Sequence, residues 1–379
     1  MNKKFGFYQI GSLTTVSKME AIELHHKTGI HPTWNFNDEV FGTVDWTQEP
    51  SESLWEIYRQ RAQQLREKYD YLVLFFSGGA DSANILDSFI KNGIHIDEIL
   101  CYHMYQGSQN KLAAGEVEIF NVALPVARAV CEQHPNIKLR EVDLTESVVK
   151  YYGDKRKKFD LVYDINDMWT PNHLGLTKIK DQVPEWQRIL DSGKTIGMIN
   201  GIDKPRVYFE NNRYCLKFLD VLISNNIDVG IMRNTNQEEQ HELFYWTPDL
   251  PKIIIKQAHA VRKFLESATE HTPGLVKTQT LFPAKVINGE QYWLTSHALN
   301  QLIYPTWDTN TFTIGKFLTP LASPRDTWFF TKSEFSKEFE IYKLSLDAIK
   351  TIAQEYWLND VDQITRGTKG MWSKTYYLS

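Results

Sequence analysis

Cysteine is scarce in this chain. Its 379 residues include three cysteines, Cys101, Cys131 and Cys215, and no two of them form a CxxC pair. An odd and widely spaced set favours neither a disulfide scaffold nor a cysteine-rich zinc site. We therefore expect buried thiols without a catalytic role.

Long apolar runs are absent as well. No window reaches the ~18 apolar residues that a membrane helix needs, and the opening MNKKFGFYQIGSLTTVSKME has no apolar stretch of signal-peptide length. The net charge of −5 gives no general reason to expect nucleic-acid binding. These absences predict a cytoplasmic protein without a membrane partner, and the 42% hydrophobic residues predict a substantial core.

Two familiar site motifs are incomplete. Residues 193–195, Gly-Lys-Thr, have the ending of a Walker A motif, but Arg188 stands where its first glycine belongs and the segment precedes a predicted strand. His25, His26 and His31 are accompanied by no HExxH pattern and no cysteine. We therefore expect neither a Walker-type phosphate loop nor a zinc site at these positions.

The chain does contain a regular alternation of helix-like and strand-like segments. A capping box at Ser53 and Glu56 opens a predicted helix that runs to about Lys68, and the apolar run at 71–76 predicts a strand. A second helix follows and is expected to stop at residues 92–93, Asn-Gly.

Three more strands are predicted, over IDEILCYHM, IKLREVDL (residues 137–144) and KTIGMIN (residues 194–200). A long helical pattern from Glu116 to Gln133 lies between the first two, and Pro125 is expected to kink it. This order is typical of the α/β class with a doubly wound, Rossmann-like parallel sheet, in which ligands bind at the carboxyl ends of the strands.

The two ends of the chain are less regular. Residue pairs 211–212, Asn-Asn, and 288–289, Asn-Gly, predict hairpin turns, and DLPKIIIKQAHAVRKFLESA and KSEFSKEFEIYKLSLDAIKTIAQEYW predict helices. We divide the chain into an irregular N-terminal segment at 1–50, an α/β domain at 51–235 and a mostly helical C-terminal region at 236–379.

The segment SGGADS, residues 77–82, joins the first predicted strand of the α/β domain to the helix after it. Two glycines in such a loop allow several backbone N–H groups to point toward one position, and the helix N-terminus adds a partial positive charge. Ser77 and Ser82 add hydroxyl donors. A carboxylate at Asp81 repels phosphate unless a cation lies between them, so Asp81 is expected to hold Mg²⁺. The loop therefore predicts a site for metal-bound pyrophosphate.

The same six residues resemble the SGGxDS signature of the PP-loop ATP pyrophosphatases, in the adenine nucleotide α-hydrolase superfamily. That superfamily includes the synthetase domain of asparagine synthetase, GMP synthetase, NAD synthetase and several tRNA-modifying enzymes. Together with the element order, the resemblance covers about residues 65–230. It implies ATP and Mg²⁺ as cofactors, cleavage between the α and β phosphates, adenylation of a substrate oxygen and displacement of AMP by a nucleophile. Its pyrophosphate-binding residues are Ser77, Gly78, Gly79, Ala80, Asp81 and Ser82.

The resemblance also implies roles outside the loop. Adenine and ribose are expected near Phe76, Tyr102, His103, Met104 and Gly201. After the fourth strand, Asp203 is expected to be a second metal ligand beside Asp81, while Lys204 and Arg206 are expected to stabilise charge on the α-phosphate. The expected catalytic residues are Asp81, Asp203, Lys204 and Arg206.

Missing features narrow the implied reaction. No cysteine follows the first methionine, so an N-terminal glutaminase is not expected and ammonia or an amine has to arrive free or from a partner. The chain also has neither the four-cysteine zinc site of the deazaguanine-forming members nor the paired cysteines of the thiolases. We therefore expect an AMP-forming ligase that activates a carboxylate or carbonyl oxygen of a small molecule and transfers it to nitrogen.

Two alternatives stay open. The first is a PP-loop enzyme that modifies a base of tRNA or DNA, with the basic run at 155–158 on the backbone, although such runs are also typical of solvated surfaces. The second is an adenine-nucleotide-binding module without turnover, which Asp81 disfavours. The tail, with Arg366, Lys369 and Lys374, is expected either to close on the phosphates or to dock as an ordinary terminus.

Overall fold

The computed structural model describes residues 5–16, 18–103, 119–144, 179–180, 182–201, 204–218, 239–279, 282–308 and 372–379. The described elements, in chain order, are β1 (Phe7–Ile10), β2 (Leu13–Thr15), α1 (Lys18–Thr28), β3 (Thr33–Asn35), α2 (Asp38–Phe41), α3 (Leu54–Lys68), β4 (Tyr71–Phe75), α4 (Ala80–Ile90), β5 (Glu98–His103), a π-helix (Ile119–Ala123), α5 (Leu124–Gln133), β6 (Lys138–Asp143), α6 (Pro184–Asp191), β7 (Ile196–Asn200), β8 (Val207–Glu210), β9 (Arg213–Leu216), β10 (Glu239–Leu243), α7 (Lys252–Ser267), β11 (Leu275–Lys277), β12 (Lys285–Ile287), β13 (Glu290–Leu294), α8 (Ser296–Ile303) and β14 (Tyr376–Tyr377).

A five-stranded sheet lies at the centre, in the order β10-β7-β4-β5-β6, and every neighbouring pair in it is parallel. The chain runs outward from β4 through β5 to β6, then crosses to the other side of β4 for β7 and β10. The predicted α/β class and Rossmann-like sheet are therefore confirmed. In such a sheet the strand order reverses at one point, here between β4 and β7, and a crevice forms there at the carboxyl ends of the strands.

Local signals place the elements that lead into this crevice. Ser53 accepts a hydrogen bond from the amide of Glu56 at 3.2 Å, and the Glu56 carboxylate accepts one from the amide of Ser53 at 2.8 Å, so the predicted capping box opens α3. Strands β4, β6 and β7 lie within the segments predicted for them. Gly93, with φ of +65°, provides the predicted stop after α4.

The helix changes type close to Pro125, where the sequence predicts a kink. A π-helix ends at Ala123, and α5 begins at Leu124 with the proline in its first turn. Proline is tolerated there because its missing N–H has no intrahelical acceptor at that position. This junction matters for the site, because Ala123 packs against the loop that follows β4.

The N-terminal segment is more regular than predicted. Its described residues contain a three-stranded antiparallel sheet, in the order β2-β1-β3, together with α1 and α2. Aromatic packing stabilises these short elements: the rings of Tyr8 and Trp34 are 4.9 Å apart, and those of Phe41 and Phe218 are 4.6 Å apart. The expectation of irregular structure was wrong because short strands that pack through aromatic rings leave little periodicity in the sequence.

The C-terminal region is mixed rather than mostly helical in its described part. The predicted hairpin of this region is present, with φ of +51° and +82° at Asn288 and Gly289, and so is the one predicted at the end of the α/β domain, with φ of +52° and +59° at Asn211 and Asn212. The predicted helix after Pro251 is α7. Strands β11, β13 and β12 form a small antiparallel sheet, and β10 extends the central sheet beyond residue 235. The second predicted helix lies outside the described residues.

Buried side chains from the three predicted units belong to one hydrophobic core. Strand β14 pairs with β9, and the ring of Tyr376 stacks on Trp46 at 4.6 Å, so the C-terminal strand, the hairpin and the N-terminal segment pack together. Among the described helices, none combines the length and the hydropathy needed to cross a membrane.

Candidate functional site

The loop after β4 lies at the crevice between β4 and β7. Gly78 has φ of +75°, and a Cβ at this position would lie 2.8 Å from the amide nitrogen of Ala123 and 3.0 Å from its Cα. Glycine is therefore required here by both backbone conformation and space. Gly79, by contrast, has an ordinary extended conformation, with φ of −75° and ψ of 165°. The backbone conformation of the turn therefore calls for glycine at the first of these two positions and not at the second.

The two serines brace the loop. The hydroxyl of Ser82 accepts a hydrogen bond from the amide of Ser77 at 3.3 Å and donates to the carbonyl of Gly79 at 3.1 Å. The hydroxyl of Ser77 accepts from the amide of Gly79 at 3.3 Å. The two serine hydroxyls therefore stabilise the turn, a role that the sequence did not predict.

Helix α4 begins directly after this turn. Its N-cap, Gly79, has no side chain, so no side-chain hydrogen bond caps the helix. The amides of Ala80, Asp81 and Ser82 belong to the first turn, where an α-helix has no intrahelical acceptors for them. The helix therefore presents N–H groups and the positive end of its dipole at the crevice.

Asp81 is the point at which the elements of the site meet. Its Oδ2 accepts a hydrogen bond from Nζ of Lys204 at 2.6 Å, and its Oδ1 accepts one from the hydroxyl of Tyr304. Its backbone carbonyl accepts from the hydroxyl of Tyr245 at 2.8 Å. The Lys204 and Asp81 side chains are 19% and 29% exposed, so this ion pair is partly shielded from water.

Burial sets the protonation state of the two tyrosines. It raises the pKa of Tyr304 well above its ordinary value, and the neighbouring Asp81 carboxylate adds to this effect. The pKa of Tyr245 is also raised well above its ordinary value, by burial first and then by the proximity of Tyr58 and Asp81. Both hydroxyls therefore stay protonated and remain hydrogen-bond donors.

The end of β7 closes against the start of α4. A Cβ at Gly201 would lie 3.2 Å from the backbone carbon of Asp81 and 3.2 Å from the amide nitrogen of Ser82. The residue after β7 and the first turn of α4 are therefore nearly in contact. Asn200 is buried, and its side-chain nitrogen lies 3.2 Å from Nδ1 of His241 on β10. The crevice therefore has the loop after β4 on one side and the loop after β7 on the other.

The residues expected near adenine and ribose differ in their surroundings. His103 is buried at the end of β5, with Nε2 3.3 Å from Glu141 and its ring 5.0 Å from that of Phe120. Tyr102 is partly exposed, with its ring 6.5 Å from that of Phe75. Phe76 belongs to the hydrophobic core, and only 2% of it is exposed. Among the side chains of His103, Tyr102 and Phe76, that of Tyr102 is the most exposed.

Several predicted site residues lie outside the described part of the chain. They are Met104, Asp203, the basic run at 155–158, Arg366 and Lys369. Arg206 is described and lies directly before β8, partly exposed. Lys374 belongs to a docked tail: its Nζ lies 5.6 Å from the centre of the Tyr376 ring, and 4% of Tyr376 is exposed.

The three cysteines are defined by their burial and their free thiols. They are free thiols; Cys101 and Cys215 are buried as predicted, and Cys131 is half-buried. Burial raises the pKa of both Cys101 and Cys215 to about 12, so these two stay protonated and unreactive at neutral pH.

The donor set suits phosphate and a phosphate-bound metal better than a metal alone. Within the described ranges, no group of three or more His, Cys, Asp or Glu side chains is placed to hold a metal ion. Mg²⁺ commonly binds through one or two protein carboxylates and the phosphates of its nucleotide. Asp81 could provide one such carboxylate. The first turn of α4 and the ammonium of Lys204 supply the positive field that a polyphosphate requires.

Comparisons with protein-family models and with curated proteins found no match to this chain.

Two residues of the site were missed from the sequence. Tyr245 follows β10 by two positions, and Tyr304 follows α8, yet both bind Asp81. Prediction of β10 as the fifth parallel strand would have identified Tyr245, because residues just after such strands lie at the ligand edge of the sheet. We find no local signal in the sequence around Tyr304.

Proposed function

We propose that this chain is an ATP-dependent, AMP-forming ligase of the PP-loop type. It adenylates a carboxylate or carbonyl oxygen of a small molecule and transfers the activated group to a nitrogen nucleophile, with release of AMP and pyrophosphate. The observation that carries the proposal is the position of the SGGADS loop at the point where the strand order reverses, with Asp81 facing Lys204 across the crevice.

Three features of the loop support a pyrophosphate there. Helix α4 begins without a side-chain cap, so its first amides are oriented to bind phosphate oxygens. The backbone conformation at Gly79 does not call for glycine, and the absence of a Cβ there would let a ligand approach the backbone. Ser77 and Ser82 hold the turn in this shape.

Four residues of the site have separate roles in the proposed reaction. Lys204 places a cation beside the phosphates, where it stabilises negative charge as the bond between the α and β phosphates breaks. Asp81 would hold Mg²⁺ together with the phosphates, and the metal would supply positive charge to the leaving pyrophosphate. Tyr304 and Tyr245 hold the side chain and the backbone of Asp81 in place through their hydroxyls.

The state of the cysteines bears on which nucleophile receives the activated group. Cys101 and Cys215 are protonated and buried, which disfavours sulfur transfer through them. A nitrogen nucleophile, either free ammonia or an amine, or one supplied by a partner, fits better. Modification of a nucleic-acid base, which the basic run at 155–158 would suit, is the alternative that a reaction with tRNA tests.

The deciding experiment incubates the protein with ATP labelled at the α-phosphate, Mg²⁺ and a pool of metabolites. Labelled AMP with an equal amount of pyrophosphate is the expected result. Labelled ADP with phosphate would refute the proposal, and binding of ATP without any product would favour a binding module. A parallel reaction with tRNA in place of metabolites tests the base-modifying alternative, whose binding should weaken steeply as salt rises.

A further inference from the structure

The two carboxylate oxygens of Asp81 differ in how firmly their partners are held. Oδ1 accepts from Tyr304, which is 2% exposed, and the carbonyl of the preceding Ile303 accepts from the hydroxyl of Tyr58 at 2.7 Å. The Tyr58 hydroxyl in turn accepts from Nε2 of Gln257 at 2.8 Å. The partner of Oδ1 is therefore fixed by a buried chain of hydrogen bonds through α3, α7 and α8.

Oδ2 has a different kind of partner. It pairs with the ammonium of Lys204, 2.6 Å away, in the loop between β7 and β8. A lysine ammonium is a compact charge on a flexible four-carbon chain, so it can leave one acceptor for another nearby without a change in the backbone. The ammonium also occupies the side of Asp81 that a divalent cation needs.

We propose that Lys204 holds the cation position at Oδ2 until a polyphosphate draws its ammonium away, so that a divalent cation binds Asp81 together with a nucleotide and not alone. This inference rests on the proposed function, since it assumes that the loop receives a nucleotide phosphate. It assigns Tyr304 as the fixed partner and Lys204 as the exchangeable partner of the carboxylate.

Charge explains the order of binding. A divalent cation that approaches Asp81 alone meets a positive ammonium within a few ångströms of the carboxylate, and the two cations repel each other. A polyphosphate bound at the first turn of α4 offers Lys204 several negative oxygens close by, because the loop at Gly201 nearly touches Asp81 and Ser82. Transfer of the ammonium to phosphate then frees Oδ2 for the metal.

The test uses Mn²⁺ as the probe, with free Mn²⁺ measured by electron paramagnetic resonance and no nucleotide present. Wild-type protein should bind Mn²⁺ weakly. Lys204→Met and Lys204→Gln should each bind it about tenfold more tightly, as expected when a unit positive charge beside the cation is removed. The double variant Asp81→Asn with Lys204→Met should lose this gain.

Folding is checked by thermal unfolding of each variant, and two different replacements guard against a single misfolded one. Unchanged Mn²⁺ affinity in both folded Lys204 variants would overturn the inference. A gain that persists in the double variant would overturn it too, because the new cation would not be bound at Asp81.

A second arm separates this inference from the proposed function. Addition of an ATP analogue that cannot be cleaved between its α and β phosphates should lower free Mn²⁺ by more in the presence of wild-type protein than the same analogue does in protein-free solution. If wild type forms AMP and pyrophosphate but the Lys204 variants show no gain, the inference fails and the function stands. If wild type neither binds the analogue nor forms AMP, the proposed function fails, and the inference fails with it.

Discussion

Tyr245 donates its hydroxyl to the backbone carbonyl of Asp81 at 2.8 Å, and the side-chain nitrogen of Asn84 lies 3.0 Å from the same hydroxyl. The segment after the outer strand β10 is thus tied to the first turns of α4. Together with Tyr304 and Lys204, this contact fixes both the backbone and the carboxylate of Asp81. The aspartate is thus held in one orientation by the protein itself, and the proposed phosphate chemistry would require such preorganisation.

Replacement of the carboxylate tests the central residue. Asp81→Asn keeps the shape of the side chain but removes the charge that pairs with Lys204 and that the proposed metal would require. We expect the rate of AMP formation to fall about a hundredfold or more, measured with ATP labelled at the α-phosphate. Wild-type activity in this variant would show that Asp81 has been assigned the wrong role.

The loop glycine can be tested against a matched glycine elsewhere. Gly93 has a similar φ of +65° but no atom within 4 Å of the position that a Cβ would take, whereas the Cβ of an alanine at Gly78 would lie 2.8 Å from the backbone of Ala123. Gly93→Ala should lose about 1 kcal/mol of stability from backbone strain alone, and Gly78→Ala should lose a further 1–3 kcal/mol. Urea unfolding measures both variants. Equal losses of stability in the two variants would mean that the backbone at Ala123 shifts to accommodate the added Cβ at little energetic cost.

The role of Tyr304 can be separated from the general effect of losing a tyrosine hydroxyl. Tyr376 also donates to an aspartate, at 2.9 Å to Asp38, but at the docked C-terminal strand. Tyr304→Phe and Tyr376→Phe should each lose about 1–3 kcal/mol of stability. Only the first should slow AMP formation, by about tenfold. If both variants form AMP at a similar rate, the Tyr304 hydroxyl contributes to stability and not to the reaction.

A pH effect is expected at Glu49, which lies before α3 and pairs with Lys256 at 2.8 Å and Lys263 at 2.5 Å on α7. Burial opposes ionisation of Glu49, but hydrogen bonds from the two lysines outweigh it and lower the pKa from 4.5 to about 2. Because the folded pKa lies below the unfolded one, the stabilisation is present above about pH 4.5 and is lost as the pH falls toward 2.

Glu49→Gln should therefore be less stable than wild type by about 1–2 kcal/mol near pH 6, after allowance for solvent screening, and the difference should shrink below pH 4.5. Urea unfolding at a series of pH values measures it. The control is Glu67→Gln, at an exposed site where the carboxylate accepts from the neutral Gln63, and its effect should stay within about 0.5 kcal/mol throughout. A Glu49→Gln difference that is the same at pH 6 and pH 3 would contradict the assignment.

Sequence patterns predicted those parts of the fold that depend on neighbouring residues. The capping box at Ser53, the stop at Gly93 and the asparagine turns of both hairpins are signals read within four residues. The position of SGGADS between β4 and α4 followed in the same way. These elements were enough to place Asp81, Gly201 and Lys204 at one edge of the sheet.

Strand β10 escaped prediction because its sequence, EQHEL, reads as polar. The buried Glu242 is neutralised by Arg61 at 2.9 Å and by Lys68 at 2.8 Å, both from α3. A charge can be buried when such partners are present, but those partners are 181 and 174 positions away in the sequence. No sequence pattern close to Glu242 indicates that Arg61 and Lys68 are its partners. Without β10, the tyrosine that follows it could not be placed at the site.

The contacts of Asp81 also bear on how the protein folds. Lys204, Tyr245 and Tyr304 are separated from it by 123, 164 and 223 positions along the chain. Each contact closes a long loop, whose entropy loss precedes any stabilisation that the contact provides. The carboxylate should consequently reach its final orientation late in folding, after the parallel sheet has formed. A refolding intermediate can therefore have most of its native helical signal while the site itself is still incomplete.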